Sequence, residues 1–275
     1  MLILIMISIN LPPKKTNKEI EKFFKKKGLN LFVSESKGRQ RSVNEMIVDV
    51  PYIPELNDLY RLYQLVVLNK RTTILEFGSG WSSLIFYLAL NDLKKKYSKQ
   101  VKNLRRNNPF ELIILENEKK YLNISKNRII KFSKILKLKQ TPKTHYCFSD
   151  VEMTLFNNKI ATQYKKLPLC NPDFIYLDGP DQFKVKNKIN NFTTAHKDMM
   201  PMVSDILKFE NFLTPGTIIV SDGRSANCEF LLNNFKRKWI HWHDKKFDQH
   251  IFYLNSPSLG KYNKSNKPNK SNQCQ

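Results

Sequence analysis

The sequence predicts an α/β protein built on a doubly wound, mostly parallel β-sheet with helices on both faces. From Thr72 onward, apolar segments of strand length alternate with longer segments of helical pattern. The segments at 72–78 and 110–117 contain consecutive apolar residues, Ile74-Leu75 and 112–115, which is typical of strands covered on both faces. Because crossovers between parallel strands are right-handed, such a chain winds outward in both directions from a central strand.

The segment 1–54 precedes this sheet and is expected to be helical and extended. Residues 14–28 predict a short helix that ends at Gly28. The apolar residues 1–11 are too few for a membrane span, which needs about 20 residues. They also lack the basic start and small-residue cleavage site of a secretory signal. A longer amphipathic helix follows, with apolar residues at helical spacing from Leu56 to Val66.

The sheet domain is expected over 55–256. Its predicted strands lie within 72–78, 110–117, 144–150, 172–179, 215–223 and 249–255, and its predicted helices within 81–96, 118–136, 198–213 and 225–239. Two insertions exceed normal loop length, namely the basic 91–110, expected to extend a helix, and the aromatic 151–171. We expect 151–171, together with 180–197, to shape a binding pocket. The Lys/Asn-rich residues 257–275 lack periodicity and predict a disordered tail.

Composition narrows the class of protein. The chain has 275 residues and is 41% hydrophobic, enough for one large domain without stabilising disulfides. Its four cysteines show no paired spacing, which disfavours a disulfide framework or a zinc site and indicates a reducing, cytoplasmic compartment.

The net charge of +23 suggests a polyanionic ligand. The excess is mostly lysine, however, spread along the chain beside abundant asparagine. Arginine, which reads phosphates and base edges through two hydrogen bonds, is scarce. This pattern is typical of a genome-wide bias, so nucleic acid is disfavoured as a ligand, whereas another acidic substrate or surface stays open.

An acid follows each of five predicted strands: Glu76, Glu116, Asp150, Asp178 and Asp222. The carboxyl ends of parallel strands meet at one rim, where ligands of doubly wound sheets bind. A single acid there can simply cap a helix. Five at one rim predict a site for a polar ligand.

The loop after the first strand holds Gly78 and Gly80, which suit a turn with positive φ or a close approach of backbone to ligand. The next helix is expected to begin near Ser82 and Ser83, one of them as its N-cap, with free amides for a negative group. A dinucleotide fingerprint would place a third glycine where Ser83 stands. The two carboxylate oxygens of Glu116 can accept both hydroxyls of a ribose.

In order, the segments EFGSGWSS (76–83), IILEN (113–117), FSD (148–150), IYLDGP (175–180) and LTPGTIIVSDGR (213–224) resemble the class I S-adenosylmethionine-dependent methyltransferases. The resemblance covers about residues 55 to 255. It implies a Rossmann-like sheet of seven strands, the last two forming an antiparallel hairpin from 239–244 and 249–255. It also implies S-adenosylmethionine as the methyl donor.

The resemblance further implies the site residues. The cofactor would be bound by Glu76, Gly78, Ser79, Gly80, Trp81, Ser82, Glu116, Asn117, Asp150 and Asp178. Within this set, Glu76, Gly78 and Gly80 would line the methionine and ribose end. Glu116 would bind the ribose hydroxyls, Asp150 would lie near the adenine, and Asp178 would lie close to the sulfonium and the acceptor. Trp81 is a candidate either to cover the cofactor or to pack the first helix.

For catalysis we expect Asp178 or Asp222 to take the acceptor's proton. Arg224 is expected either to clamp an anionic group of the acceptor or to pair with Asp222. The catechol-type O-methyltransferases hold a divalent metal with an Asp after the fourth strand and an Asp-Asn pair after the fifth. Asp178 and Asp222 match the two aspartates, but Gly223 stands at the Asn position. With the third ligand missing, a dedicated metal site is not expected.

The sequence therefore predicts a methyltransferase acting on an unidentified small-molecule or glycan-like acceptor. The alternative is a non-catalytic Rossmann-like module that binds an anionic polymer through its lysines. A nicotinamide oxidoreductase is weakened by Ser83 and by the absence of a recognisable hydride-acceptor site. His196 is a candidate base or a surface residue, and His241 and His243 are expected on one exposed side of a strand rather than as a metal pair.

Overall fold

The structure is a computed structural model and describes residues 9–38, 52–105 and 108–264. The apolar start up to residue 8, residues 39–51 of the N-terminal segment and residues 265–275 of the expected tail lie outside the described residues, so those expectations stay predictions. The described part of the tail contains a 3₁₀ turn at Lys261–Asn263.

The helices are α1 (Asn17–Lys26), α2 (Asn30–Glu35), α3 (Leu56–Leu68), α4 (Trp81–Tyr97), α5 (Lys119–Ile135), α6 (Asp205–Phe209) and α7 (Ser225–Leu232). The strands are β1 (Thr73–Phe77), β2 (Glu111–Glu116), β3 (Lys143–Phe148), β4 (Val151–Phe156), β5 (Lys159–Tyr164), β6 (Phe174–Leu177), β7 (Ile218–Asp222), β8 (Trp239–Asp244) and β9 (Gln249–Leu254). None of these helices is long and apolar enough to cross a membrane.

Seven strands form the main sheet in the order β3-β2-β1-β6-β7-β9-β8. The first five are parallel, and β9 runs antiparallel to both β7 and β8. This confirms the predicted doubly wound, mostly parallel sheet with an antiparallel final hairpin. The chain winds outward from β1 to β3 and then returns to β6 on the other side. The strand order therefore reverses between β1 and β6, where such folds bind ligands.

Two hydrophobic clusters cover the two faces of the sheet, as predicted. One contains Ile74 of β1 together with Phe86 of α4. The other contains Leu75 of β1 together with Ile206 of α6. Successive residues of β1 thus point to opposite clusters, which explains why its sequence is apolar without alternation.

Local signals set the ends of α1. Its N-cap is Thr16, whose hydroxyl accepts a hydrogen bond from the Glu19 amide while the Glu19 carboxylate accepts from the Thr16 amide. This reciprocal pair satisfies two amides that the first helical turn leaves open. The chain then turns at Gly28, which has φ of +79°.

The insertion at 151–171, expected as a loop, instead forms the two-stranded antiparallel sheet β4–β5. Its turn is Asn157-Asn158, with φ of 48° and 60°. Two consecutive residues with positive φ are typical of the two-residue turns that join hairpin strands. The basic insertion does extend a helix, since α4 continues to Tyr97.

The helix predicted at 198–213 is much shorter, and α6 begins only at Asp205. Residues 202–204 bond to β5 instead: the Thr162 amide donates to the Met202 carbonyl, and the Ser204 amide donates to the Thr162 carbonyl. These residues extend the hairpin's hydrogen bonding and are therefore lost to the helix.

Candidate functional site

A cavity of about 900 Å³ opens at the carboxyl ends of β2, β1, β6 and β7. Its walls come from the loop and first turn of α4, from one face of α5, and from residues 52–62 and 180–197. It spans the point where the strand order reverses. All but two of the predicted site residues line it, namely Gly78, Ser79, Gly80, Trp81, Ser82, Glu116, Asn117, Asp178, Asp222 and Arg224.

The two glycines of the loop have different roles. Gly78 has φ of +95°, and a Cβ there would lie 2.9 Å from the amide nitrogen of Gly179. Gly78 therefore confirms the predicted positive φ, and the close approach at this position is to the Gly179 backbone. Gly80 has φ of −171°, which is extended backbone, so the expectation of positive φ is wrong at this position.

Glu76 is one of the two predicted residues that do not line the cavity. Its side chain is completely buried, and its two oxygens accept hydrogen bonds from the Ser82 hydroxyl at 2.5 Å and the Ser83 hydroxyl at 2.6 Å. Burial raises the pKa of Glu76 to about 8, against the effect of these two donors. The hydroxyl of Ser82 is thus fixed from behind, and Glu76 holds the loop rather than the ligand.

The same bonds change the expected role of the serines. Gly80, not Ser82 or Ser83, is the N-cap of α4. The Ser83 hydroxyl accepts a hydrogen bond from the Gly80 amide at 3.2 Å while donating to Glu76. The prediction of a serine N-cap is therefore wrong, because the buried carboxylate of Glu76 binds both hydroxyls.

Glu116 lies on the cavity wall in a fixed position. One carboxylate oxygen accepts from the Ser79 hydroxyl at 2.7 Å, and the other accepts from the amides of Asn117 at 2.7 Å and Glu118 at 2.9 Å. Burial raises the pKa of Glu116, whereas these three donors lower it. The carboxylate oxygens retain lone pairs for additional donors.

Asp150 is the second predicted residue outside the cavity wall. Its carboxylate lies 3.7 Å from the Lys186 ammonium group. Its carbonyl accepts a hydrogen bond from the Lys165 amide, at the base of the β4–β5 hairpin. The chain turns into this hairpin directly after Asp150, which directs the residue away from the rim. The role near an adenine therefore has no support from its position.

The β4–β5 hairpin does not contribute to the cavity wall either. The expectation that the insertion at 151–171 shapes the pocket is therefore wrong. The other expected segment, 180–197, does line the cavity, through residues that include Phe183 and Lys184. Opposite it, the chain leading into α3 contributes Tyr52 and Ile53, which the sequence did not mark.

At the β6–β7 end of the cavity, carboxylates face one another. Asp178 is accessible to solvent through the cavity, although protein surrounds it on its other sides, and this burial raises its pKa to about 6 against the effect of Arg224. Burial raises the pKa of Asp222 to about 8, with further contributions from the charges of Asp178 and Asp58. The Tyr176 hydroxyl donates to Asp222 at 3.4 Å.

Asp58 of α3 completes this acidic end and was missed by sequence reasoning. Burial raises its pKa to about 7, and the neighbouring Glu55 raises it further. Asp58 lies in the first turn of α3, where an acid is favoured by the helix dipole alone. Its sequence position therefore carried no signal of the cavity.

Arg224 holds the backbone of the loop after β6. Its guanidinium donates to the Pro180 carbonyl at 2.8 Å and to the Asp178 carbonyl at 2.5 Å. In the part of the chain that the structure describes, it forms no ion pair with Asp222, so that alternative is wrong. Arg224 lines the cavity and positions the Asp178 loop.

Trp81 packs against the core, one of the two roles considered for it, and also lies on the cavity wall. Its ring packs edge-on against Phe32 and Phe132, with centroids 5.3 and 6.2 Å away. It also lines the cavity, where the guanidinium of Arg128 lies 3.8 Å from its ring centroid. Arg128 belongs to α5 and was not predicted as a site residue.

His241 and His243 lie on one side of β8, as predicted, and both stack on His250 of β9. Over residues 9–38, 52–105 and 108–264, the only set of three potential metal ligands in close proximity is His243, Asp248 and His250. The rings of His243 and His250 are stacked 3.8 Å apart at an angle of 12°. An ion cannot lie in the planes of two rings stacked in this way, so this arrangement is not a metal site as it stands.

The pair Asp178 and Asp222 lacks a third ligand. Within the described residues, Asp178 and Asp222 do not form, with a third Asp, Glu, His or Cys, a set of ligand atoms that all lie within 4.8 Å of one another. Gly223, at the position of the third ligand, has no side chain. His196 lines the cavity but is mostly exposed, and its ring nitrogen lies 3.5 Å from Asp198.

No sequence profile of a known protein family matches the chain, and no curated protein matches it either. Solved structures do. An O-methyltransferase from Bacillus cereus in complex with S-adenosylhomocysteine is 14% identical, with 91% of this chain and 93% of that chain covered and a TM-score of 0.37. An S-adenosylhomocysteine-bound methyltransferase from Podospora anserina is 13% identical, with 88% and 97% covered and a TM-score of 0.45.

A third structure, the O-methyltransferase TomG from Streptomyces achromogenes in complex with S-adenosylmethionine, is 12% identical, with 89% and 92% covered and a TM-score of 0.37. These proteins are similar to the chain in fold. The strand order and the antiparallel final hairpin match what the sequence resemblance implies. The chain has the doubly wound, mostly parallel sheet of seven strands that the resemblance implies.

Proposed function

We propose that this protein is an S-adenosylmethionine-dependent methyltransferase acting on a small-molecule or glycan-like acceptor. The observation that carries the proposal is the fixed Glu116 carboxylate beside the Gly78 turn, on the wall of the same cavity as Asp178 and Asp222. One end of that cavity offers acceptors for ribose hydroxyls. The other end offers groups that can take a proton from an acceptor.

The residues present fit this cofactor. A cavity of about 900 Å³ is large enough for a nucleoside with an amino-acid arm and for part of a second reactant. The Nδ2 amide of Asn117 is buried at the wall and has no hydrogen-bond partner among the described residues. A buried donor without a partner is costly, and a ring nitrogen of a bound adenine would satisfy it.

The cofactor supplies a methyl group on a positively charged sulfur, and the protein must bring the acceptor into line with it. Positioning the two reactants accounts for most of the acceleration expected in such a transfer. Arg224 fixes the backbone of the Asp178 loop, so the proton acceptor sits on a rigid wall. Phe183 and the rest of 180–197 restrict water at the acceptor side.

Between the two aspartates, Asp178 is the better proton acceptor at neutral pH. Its pKa, raised by burial to about 6, leaves it mostly ionised at pH 7. The pKa of Asp222, raised by burial to about 8, keeps a proton there under the same conditions. The two carboxyls interact, so they titrate as a pair and Asp222 supports the ionised form of Asp178 by staying neutral.

The alternative of a module that binds an anionic polymer gains no support from the cavity. Glu55 and the ionised Asp178 on its wall would repel a polyanion. Any such binding would use the lysines of the outer surface, apart from the residues discussed here.

Calorimetry with S-adenosylhomocysteine tests the proposal. The full chain should bind the ligand, and Glu116→Ala should weaken binding about 10- to 100-fold because up to two charge-assisted hydrogen bonds are lost. Glu152→Ala is the matched control, since Glu152 lies on the β4–β5 hairpin and pairs with Lys165 outside the cavity. Absence of binding by the parent at high micromolar ligand contradicts the cofactor. Equal binding by parent and Glu116→Ala contradicts the ribose role.

A further inference from the structure

Arg128 lies beside the glycine loop on the face of α5 that lines the cavity. One turn before it, the Ser125 hydroxyl donates to the Gly80 carbonyl at 3.4 Å, which docks this face of the helix against the loop. The guanidinium of Arg128 then lies over the ring of Trp81, 3.8 Å from its centroid. A cation is thus held at the β1–β2 end of the cavity, away from the acids at the β6–β7 end.

No carboxylate neutralises this cation in the described part of the chain. Over residues 9–38, 52–105 and 108–264, no carboxylate oxygen lies within 4.0 Å of the Arg128 guanidinium, and no acceptor is hydrogen-bonded to it. The acids whose charges reach it are Glu35 and Glu76. Glu35 lies 4.0 Å from the Lys131 ammonium group, and Glu76 is bonded to the serine hydroxyls behind the loop.

The guanidinium lies over the Trp81 ring, and its N–H donors have no acceptor among the described residues. Arginine stacks on aromatic rings through its face, while its five N–H donors lie in its plane. Burial lowers the pKa of Arg128 to about 10, so the group is still charged at neutral pH. A planar cation fixed on one face can bind a carboxylate through two parallel hydrogen bonds, with little further loss of freedom.

We propose that Arg128, held over the Trp81 ring, binds the carboxylate at the amino-acid end of the cofactor; this inference rests on the proposed function. That carboxylate is the cofactor's one anionic group, and the ionised Asp178 would repel it from the other end of the cavity. The other cations of the wall are engaged or peripheral: Arg224 donates to backbone carbonyls, and Lys184 and Lys197 are exposed at the rim.

The test compares two ligands that differ in the amino-acid arm. S-Adenosylhomocysteine carries the carboxylate, whereas 5′-methylthioadenosine has the same nucleoside and thioether sulfur without it. Arg128→Gln should weaken S-adenosylhomocysteine binding about 10- to 100-fold, the effect of a lost charge-assisted pair. Binding of 5′-methylthioadenosine should change less than about threefold, because its contacts do not include Arg128.

Arg105→Gln is the matched control. Arg105 also stacks on an aromatic ring, with its guanidinium 4.8 Å from the Tyr262 centroid, and donates to the Lys261 carbonyl, but it lies outside the cavity. It should leave the binding of both ligands unchanged. If Arg128→Gln does not fold, Arg128→Lys serves instead, because it keeps the positive charge but loses the paired N–H donors of the guanidinium. It should weaken S-adenosylhomocysteine binding alone, about 3- to 10-fold.

The outcomes separate this inference from the proposed function. If the parent binds neither ligand, the proposed function fails. If the parent binds both and Arg128→Gln weakens both equally, or neither, the carboxylate subsite is wrong while the function stands. Acetate titrated into the protein saturated with S-adenosylhomocysteine distinguishes the remaining source of a carboxylate. Acetate binding that disappears in Arg128→Gln would assign the subsite to the acceptor and overturn its assignment to the cofactor.

Discussion

The carboxylates at the two ends of the cavity accept very different numbers of hydrogen bonds from the protein. At the β1–β2 end, Glu116 accepts three hydrogen bonds from its own loops, and Glu76 accepts two behind the wall. At the β6–β7 end, Asp222 accepts one long hydrogen bond from Tyr176. No group in the described residues donates to the Asp178 carboxylate.

The difference follows from what each end has to do. Carboxylates held by fixed donors are pre-organised, so they can bind neutral hydroxyls without rearranging. Carboxylates without such donors keep raised pKa values: burial raises the pKa of Asp178, and burial together with the charge of Asp178 raises that of Asp222. They favour a proton or a cation as partner. In the proposed function, the first end binds the hydroxyls of the cofactor and the second takes the proton of the acceptor.

The largest expected effect comes from a substitution that disrupts the pre-organised β1–β2 end of the cavity. Gly78→Ala places a Cβ 2.9 Å from the Gly179 amide nitrogen at φ of +95°, so the loop must move. We expect a loss of about 2–4 kcal/mol in the free energy of unfolding and a loss of most S-adenosylhomocysteine binding. Denaturant unfolding and calorimetry measure the two effects.

Gly80→Ala is the control, because a Cβ there would meet nothing closer than the Ser82 hydroxyl oxygen at 3.6 Å, in extended backbone. We expect a change in stability below about 1 kcal/mol. If the two variants behaved alike, the loop would not be the rigid element described here.

These two glycines also show how much of the fold and the site could be predicted from the sequence. The alternation of strand and helix patterns located six of the seven strands of the main sheet, and the resemblance implied β8. Three of the five acids at strand ends lie on the cavity wall, because strand ends share one rim. Which glycine needs positive φ was not predictable, since that depends on Gly179 from a strand distant in sequence. The roles of Ser82 and Ser83 were not predictable either, because both hydroxyls donate to the buried Glu76. The sequence had predicted Glu76 as a cofactor-binding residue.

One hairpin and two charged residues of the site were not predicted from the sequence, for different reasons. The hairpin β4–β5 did carry a signal, since Asn157-Asn158 separates two segments with alternating burial. Asp58 and Arg128 carried none. Both lie on helices, where a charge is ordinarily a solvated surface residue, and only the packing of α3 and α5 around the cavity brings them to the site.

The second expected effect comes from replacing one carboxyl at the acidic β6–β7 end of the cavity. The pKa of Asp222 is raised from 3.8 to about 8, chiefly by burial, so its ionisation opposes folding. The resulting penalty is absent below pH 3.8, grows as the pH rises through about 8 and is constant above that. Asp222→Asn should therefore raise the Tm, most strongly near pH 9. We expect a gain of about 1–3 kcal/mol there, or roughly 2–8 °C, and little gain near pH 4.

Thermal unfolding at pH 5, 7 and 9 measures this trend, with Asp198→Asn at an exposed position as control. Methyl transfer at pH 7 should change little, because Asn is neutral like the protonated Asp222 and leaves Asp178 ionised. A Tm that is lower than the parent's at every pH would show that Asp222 is held by a cation rather than repelled by its neighbours.

The smallest expected effect runs in the opposite direction with pH and comes from the imidazole stack on the final hairpin. Burial lowers the pKa of His250 from 6.5 to about 4, and the charges of His243 and His241 lower it further. A lowered pKa contributes stability that is present above 6.5 and is lost as the pH falls through about 4. His250→Gln keeps a polar partner for Ser225, whose hydroxyl oxygen lies 2.9 Å from the ring, but cannot titrate.

Between pH 7 and pH 5, the parent should therefore lose about 1 kcal/mol more stability than His250→Gln. Denaturant unfolding at the two pH values gives this difference, and His196→Gln at the exposed cavity mouth should follow the parent. The Asp222→Asn change raises stability at high pH, and the His250→Gln change reduces the loss of stability at low pH. In the double variant these two changes in the free energy of unfolding should add, because the carboxyl and the ring act through separate neighbours. If they do not add, the acidic end and the hairpin share one network of charges.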